Sequence, residues 1–391
     1  MNTPRRVLYL KSGQAVQEAQ QLLPRLGELP DGGPDKFLLA VLWLCRAGRL
    51  RVVSVGSMAE STELGAVQAH AYATRAEPAN RWVKAWRFAR DLSHFVLSGL
   101  RLRPTHVLCG EGGLFAVAAW VVARLSGASL VLLCHNAMTL PGTSAVYRRS
   151  NAFLCPRADW VVAHGPYVRQ EALQLRGHER QLLEFNNALD AAQVAHLAAL
   201  SARSSVTPQA LQVVFLGRLE AAKGVFDLLQ ACLSLRRAGC PLQLSFIGGG
   251  AAFAPLKREV SRHDADAWVR VLGAVPFEAV FEHLRTATVV ATPSRASFPE
   301  GFCKSAMEAL FVGVPVVVPD YGPFPHLVTH EHNGLLYKAD DVSSLADQLQ
   351  RILSDADLRQ RLSAGAAASG RALMQPDTTF FKALSRVFQE T

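Results

Sequence analysis

No hydrophobic run in this chain of 391 residues is long enough to cross a bilayer, although half of its residues are hydrophobic. The most lipid-like stretch, Gly113 to Ala123, is broken by Arg124 after eleven residues. A spanning helix needs about twenty, so this stretch reads as a buried helix of an α/β layer. The apolar segment behind the basic start MNTPRRVLYL is too short for a secretion signal. The seven cysteines (Cys45, Cys109, Cys134, Cys155, Cys232, Cys240 and Cys303) form no Cys-x-x-Cys pair. They read as reduced core thiols of a cytoplasmic protein rather than as zinc ligands. A Gly-x-Gly-x-x-Gly fingerprint with a ribose-binding acid about twenty residues on is missing, which argues against an NAD enzyme. So is any compact Lys/Arg cluster interleaved with stacking aromatics, which argues against nucleic acid. There is no internal repeat and no low-complexity tail.

What is present points to two domains of ordinary size. The formal charge of +9 suggests anionic partners such as nucleotides, phosphate-rich acceptors or an anionic membrane surface. Short apolar runs recur, and each is followed by small or polar residues. In the first half these are Val7 to Leu10, Arg51 to Val55, Thr105 to Cys109, Leu130 to Cys134 and Trp160 to Ala163. Helices are expected near Ala15 to Leu26, over Phe37 to Arg46 and over Asn80 to Leu100. The last is expected to carry Arg81, Lys84, Arg87 and Arg90 on one side and Trp82, Trp86 and Leu97 on the other. In open α/β sheets ligands bind at strand ends, which draws attention to Gly110-Glu111, His135-Asn136 and His164-Gly165; of the two histidines His135 reads as a site residue and His164 as structural. A turn at Gly32-Gly33-Pro34-Asp35-Lys36 leads into the helix that starts at Phe37, and it permits close approach of a ligand to the backbone.

The second half is richer. Leu211 to Leu216 reads as a buried strand, followed by Arg218 and Lys223 in a loop that leads to a helix. Two cations so spaced between a strand end and a helix start make a diphosphate clamp, with a guanidinium fork and a point charge. Leu242 to Ile247 ends in the turn Gly248-Gly249-Gly250, and Val269 to Leu272 ends in Gly273-Ala274-Val275-Pro276. Asp264 and Asp266 flank Ala265 between a helix pattern and a strand, and read as a solvated turn. The most informative stretch is Pro299 to Gly313, PEGFCKSAMEALFVG, between the strand runs Thr288 to Thr292 and Val314 to Val318. It carries Glu300 in a loop and Glu308 in a helix expected to begin near Phe302 and stop at Gly313. A helix start at a parallel sheet edge offers free backbone N–H groups to a phosphate. Glu308 can accept from a ribose diol, and Glu300 from sugar hydroxyls.

This Glu-x7-Glu segment resembles the signature of retaining glycosyltransferases of family 4, glycosyl transferases group 1. So does the Gly-Arg-Leu…Lys-Gly segment from Gly217 to Gly224. The resemblance covers most of the C-terminal half and weakens before it. It implies the GT-B fold, an α/β architecture of two Rossmann-like α/β/α domains facing each other across a cleft. The expected layout is an acceptor-binding domain over 1–190, a linker over 191–208, a nucleotide-sugar domain over 209–372 and a C-terminal helix over 373–391 returning to the first domain. The implied reaction moves a hexosyl unit from a UDP- or GDP-sugar to a hydroxyl with retention, without a metal or other cofactor. The expected catalytic residues are His135, Glu300, Arg218 and Lys223. The donor site would add Gly32, Gly33, Gly249, Val275, Gly301, Phe302, Cys303, Lys304 and Glu308. Either Gly13 or the Gly32-Gly33 pair would form the glycine loop of the first domain.

Three departures from the family pattern stand out. Cys303 replaces a glycine, and its Cβ narrows the approach to the donor sugar. Ala188 replaces the glycine of the turn before the linker. The aspartate often found near Gly249 is missing. The basic charge and the tryptophan-bearing helix suggest a peripheral enzyme at the cytoplasmic membrane face that acts on a lipid-linked glycan in surface polysaccharide or lipopolysaccharide assembly. A soluble small acceptor, a phosphorylase or epimerase on the same fold, and a non-catalytic sugar-nucleotide binder are the other readings.

Overall fold

The computed structural model describes residues 5–11, 14–24, 37–55, 59–73, 80–186, 211–373 and 379–391. Gly13, Gly32, Gly33, Ala188 and the expected linker over 191–208 lie outside the described residues. The chain divides into two compact units. The first comprises Met1–Thr139, Thr143–Ala191 and Pro376–Thr391, and the second comprises Leu140–Gly142 and Ala192–Gln375.

The described strands of the first unit are β1 (Arg6–Lys11), β2 (Arg49–Val55), β3 (Glu60–Leu64), β4 (Val67–Tyr72), β5 (His106–Cys109), β6 (Ser129–Cys134), β7 (Trp160–His164) and β8 (Leu182–Phe185). Its helices are α1 (Ala15–Leu22), α2 (Phe37–Leu44), α3 (Arg81–Leu102), α4 (Leu114–Ser126), α5 (Ala145–Leu154) and α6 (Gly165–Arg176). The strands lie in the order β3-β4-β2-β1-β5-β6-β7-β8. Among the described strands, only β3 and β4 pair antiparallel. A parallel sheet covered on both faces needs apolar side chains on both, and β1 supplies them by alternation. Val7 and Tyr9 join one core layer, and Leu8 and Leu10 join the other. The first layer also takes Phe380, Leu384 and Phe388 from the last helix (Phe380–Glu390).

The second unit has β9 (Leu211–Leu216), β10 (Leu242–Ile247), β11 (Val269–Gly273), β12 (Val289–Ala291), β13 (Val316–Pro319) and β14 (Gly334–Tyr337). Its helices are α7 (Val225–Arg237), α8 (Phe253–Arg262), α9 (Phe277–Arg285), α10 (Lys304–Phe311), α11 (Phe324–Leu327), α12 (Val342–Ser354) and α13 (Ala356–Leu373), and Phe380–Glu390 is then α14. All six strands are parallel, in the order β11-β10-β9-β12-β13-β14. Counted from β9, this is the doubly wound order 3-2-1-4-5-6. Its strand order reverses between β9 and β12, and that crevice is where such sheets bind ligands.

Two expectations are corrected. Helix α10 begins at Lys304 rather than near Phe302, because Gly301 to Cys303 serve as the turn into it. On α3, basic and aromatic side chains share a face. The guanidinium of Arg90 lies 5.3 Å from the ring of Trp86 and pairs with Asp91 at 2.7 Å. Phe95 is buried on that helix, whereas Trp82 and Trp86 are 69 % and 62 % exposed, so these tryptophans are not core residues.

Candidate functional site

Arg218 and Lys223 follow β9, and Glu300 follows β12, so all three stand at the reversal point. The loops are brought together by Gly224. Its φ is +70°, and a Cβ there would lie 1.8 Å from the carbonyl oxygen of Pro293, so only glycine fits. The backbone amide of Arg295 donates to the Ala222 carbonyl at 2.9 Å. Its guanidinium makes a bidentate pair with Asp227 at 2.6 and 2.7 Å. Tyr321 then donates its hydroxyl to the Arg295 carbonyl at 2.6 Å.

Within this frame Lys223 Nζ donates to Glu300 Oε2, and the Ser294 hydroxyl donates to the same oxygen at 3.2 Å. The lysine and glutamate side chains are only 16 % and 10 % exposed. The ring of Phe298 underlies both cations, with Lys223 Nζ at 4.1 Å and Arg218 Cζ at 5.7 Å from its centroid. Arg218 is exposed and pairs with Glu220 at 2.7 Å. The structure thus gathers Arg218, Lys223 and Glu300 around one aromatic ring. Attraction to the face of a ring leaves the cations free to exchange a carboxylate partner for a phosphate.

Beyond Glu300 the chain enters α10 through the buried turn Gly301, Phe302 and Cys303. Cys303 stands at the N-cap position, and no side chain caps the helix. Burial pushes the Cys303 thiol up, and its Sγ lies 3.6 Å from the Ser305 hydroxyl. Glu308 is buried one turn further on. Burial raises its pKa above the ordinary carboxylate value, opposed by exposed Lys304, whose Nζ is 3.5 Å away. Gly249 belongs to the neighbouring turn, and its carbonyl accepts from the amide of Leu219 at 2.9 Å. Val275 follows the end of β11, partly buried. Asp264 and Asp266 are exposed before the start of β11, at the opposite sheet edge. Asp266 accepts from Ser261 at 3.0 Å.

His135 belongs to the first unit, after β6. Its ring lies among Phe37, Phe185 and Phe380, with centroids 4.4, 5.7 and 6.0 Å away. Burial draws its pKa down to about 4, so the imidazole is neutral at neutral pH. Its Nδ1 has no partner among the described residues. The loop that follows is fixed by buried Glu171 of α6, which accepts from the amides of Met138 at 2.7 Å and Thr139 at 2.9 Å. At this sheet's own reversal point, between β1 and β5, buried Lys11 pairs with Glu18 at 2.7 Å.

Sequence reasoning missed Ser294, Phe298, the Asp227–Arg295 pair, Tyr321 and Glu171. Ser294 and Phe298 stand within six residues of Glu300, so the loop itself was a signal. Nothing in the sequence links Asp227 to Arg295, 68 residues apart.

Residues 201–369 match the family model described as glycosyl transferases group 1. The chain is 31 % identical over 147 residues to the amylovoran biosynthesis glycosyltransferase AmsK of Erwinia amylovora, a match covering 37 % of this chain and 36 % of that protein. It is 23 % identical over 280 residues to the alpha-D-kanosaminyltransferase of Streptomyces kanamyceticus, covering 67 % and 71 %. The chain thus spans little more than a third of the length of AmsK. Among solved structures, Anabaena HepE in complex with UDP superposes with a TM-score of 0.66 at 16 % identity, over 99 % of this chain and 100 % of that one. Sucrose-phosphate synthase from Thermosynechococcus elongatus gives 0.68 at 17 %, over 99 % and 98 %. Residues 201–369 thus resemble the glycosyl transferases group 1 model, and the two doubly wound sheets together with these structural likenesses give the chain the GT-B fold.

Proposed function

We propose that this protein transfers a hexosyl unit from a nucleotide-sugar to a hydroxyl group with retention of anomeric configuration. The observation that carries the reading is the convergence of Arg218, Lys223 and Glu300 at the reversal point of a 3-2-1-4-5-6 sheet. HepE structures titled as complexes with UDP and with UDP-glucose support such a donor. In this reading Arg218 and Lys223 neutralise the leaving diphosphate and Glu308 holds the ribose. Glu300 releases Lys223 to the diphosphate and takes the hydroxyls of the sugar. Gly249, Val275, Gly301, Phe302, Cys303 and Lys304 line the donor's path. His135, as a neutral imidazole, hydrogen-bonds the donor sugar. The acceptor oxygen attacks the anomeric carbon as the carbon–phosphate oxygen bond breaks. The acceptor proton passes to the leaving phosphate oxygen on the same face. Positioning and charge stabilisation do the rest, so the reaction needs neither a base from the chain nor a metal ion.

The acceptor in this reading is a lipid-linked glycan of surface polysaccharide assembly. The names of AmsK and of the putative colanic acid biosynthesis glycosyltransferase WcaL of Escherichia coli support it. No described helix is long and apolar enough to cross a membrane. The enzyme would work peripherally at the cytoplasmic face, through the exposed tryptophans and basic residues of α3. A thermal-shift screen against UDP-, GDP- and ADP-sugars, followed by turnover with and without acceptor in EDTA, tests the proposal. It expects one nucleotide series to raise the Tm by mass action, and a product with the donor's anomeric configuration. An inverted product, or activity that EDTA abolishes and Mn²⁺ restores, defeats it.

A further inference from the structure

At the opposite edge of the first unit's sheet, where the parallel strands begin, lies a cavity of about 1000 Å³. The ends of α3 and α4 and the starts of β5, β6 and β7 enclose it. Arg6, Arg103 and Arg124 line it, and Asp159 is the only carboxylate side chain among its described lining residues. Asp159 is already committed, with Oδ2 accepting from the Leu130 amide at 2.8 Å. His106 also lines the cavity, bonded through Nε2 to the Thr391 hydroxyl at 2.7 Å. Burial and neighbouring Arg5 draw its pKa down to about 4, so it adds no charge at neutral pH.

Two buried polar groups of residues in this wall have no partner among the described residues. Trp160 is 1 % exposed, and its indole Nε1 makes no hydrogen bond to any described residue. The hydroxyl of Ser129 is in the same position. Buried polar groups are almost always paired, and an indole N–H can only donate, so Trp160 calls for an acceptor from outside the chain. Two of the five non-glycine residues held at positive φ among the described residues, Arg103 and Gln181, also line the cavity. Such backbone costs of order 1 kcal/mol, and at Arg103 it forms the left-handed cap that ends α3. Arg6 is partly committed, its Nε donating to the Arg103 carbonyl at the end of α3 at 2.6 Å, and arginines past helix ends complement helix dipoles, but neither explains the two unpaired groups.

We propose that this cavity is a second, non-catalytic binding site for a phosphate-bearing small molecule. Guanidinium forks suit phosphate oxygens, and Arg103 and Arg124 present theirs at this cavity. The volume is at the upper end for small-molecule pockets, so the ligand is larger than phosphate alone, of the size of a sugar phosphate or a nucleotide. It does not take part in the transfer chemistry. Ser129 begins β6 and His135 follows its end, which separates them by about 20 Å along one strand. The site therefore stands or falls independently of the transferase reading.

The test follows the indole N–H resonances of the full chain by ¹H–¹⁵N correlation while inorganic pyrophosphate is added. Trp160→Phe identifies the Trp160 signal. A variant with Arg218→Ala and Lys223→Ala removes the other candidate diphosphate site. The Trp160 signal is expected to shift saturably, with the same midpoint in wild type and in that variant. With Arg103→Ala and Arg124→Ala the midpoint should rise more than about tenfold, the effect of losing charge-assisted hydrogen bonds. Both of these arginines are exposed, and an unchanged Tm checks the fold. If the pair does lower the Tm, Arg124→Ala alone should still raise the midpoint. A Trp160 signal that pyrophosphate does not move, or that moves with an unchanged midpoint in the arginine variants, overturns the proposal.

Discussion

Lys223 and Glu300, 77 residues apart in sequence, form a largely buried ion pair across the reversal point of the second sheet. Each therefore serves as the other's counter-charge until a ligand arrives, and the pair couples stability to function. Lys223→Ala should lower stability by about 3 kcal/mol, because it strands a buried carboxylate. It should also lower kcat/KM by about 2–4 kcal/mol in transition-state terms. Adding Glu300→Gln should recover much of the Tm but none of the turnover. Recovery of both together in urea melts and donor-saturated assays would reduce the pair to a structural role.

Phe298 touches no proposed reacting group, yet it positions both cations. Phe298→Ala should raise the donor KM several-fold, in line with about 1 kcal/mol per exposed cation–π contact, with a smaller change in kcat. Phe298→Tyr should retain most of the affinity. An alanine variant with wild-type KM would remove the ring from the clamp.

Glu308 gives a prediction with a definite sign. Its folded pKa lies above the ordinary value of 4.5, because burial disfavours the charged form. The folded state then holds its proton more tightly than the unfolded chain does. Glu308 consequently costs stability as the pH rises from 4.5 through the folded pKa. Glu308→Gln should melt higher than wild type at pH 8, and the gap should close as the pH falls towards 4. Nucleotide affinity should fall in the same variant. Melting curves across pH and a titration with UDP or GDP check the two halves separately.

His135 behaves oppositely. With a folded pKa of about 4 against an ordinary 6.5, the unfolded chain takes up the proton first. Stability is then lost as the pH drops through that window. His135→Gln should flatten this part of the acid melting profile without removing it, since His106 is depressed to a similar value. Wild-type kcat should show no inflection from His135 between pH 6 and 8. One near 6.5 that disappears in the variant would mean that the imidazole charges during turnover.

The exposed face of α3 can be tested on vesicles. Sedimentation with liposomes should require anionic lipid and weaken with salt, at about 1 kcal/mol per basic residue near the surface. It should fall when Lys84 and Arg87 become Glu, and again when Trp82 and Trp86 become Ala. Equal binding to neutral and anionic vesicles, or to neither, leaves a soluble acceptor as the better reading.

The sequence made the second unit legible because its chemistry is local. Arg218 and Lys223 stand within one strand-to-helix turn, and Glu300 and Glu308 within another, so spacing and the resemblance to the family's motifs marked them. Strands such as Leu242–Ile247 could be read because a parallel core strand is a nearly unbroken apolar run. The antiparallel pair β3 and β4 escaped notice because Glu60–Leu64 is polar and exposed at a sheet edge. Partnerships between distant residues left no trace either. Glu171 gives no hint that it caps the loop after His135, and Phe298 resembles any loop aromatic until the fold sets two cations on it. The helical period of α3 was legible, but its environment was not. The tryptophans were placed opposite the basic residues, and only the burial of Phe95 against the exposure of Trp82 and Trp86 shows which face is inward.

The place of α14 bears on how the chain is made. Phe380, Leu384 and Phe388 share a core layer with Val7 and Tyr9, so a strand made early packs with a helix made much later. At about 5–20 residues per second, the ribosome takes tens of seconds to travel between them. One face of the first sheet stays partly uncovered for that time, while the second unit, contained almost wholly between those ends, can already close around its own strands. Of the two units, the one begun earlier is then completed later, and its sheet is the part that chaperones would guard longer.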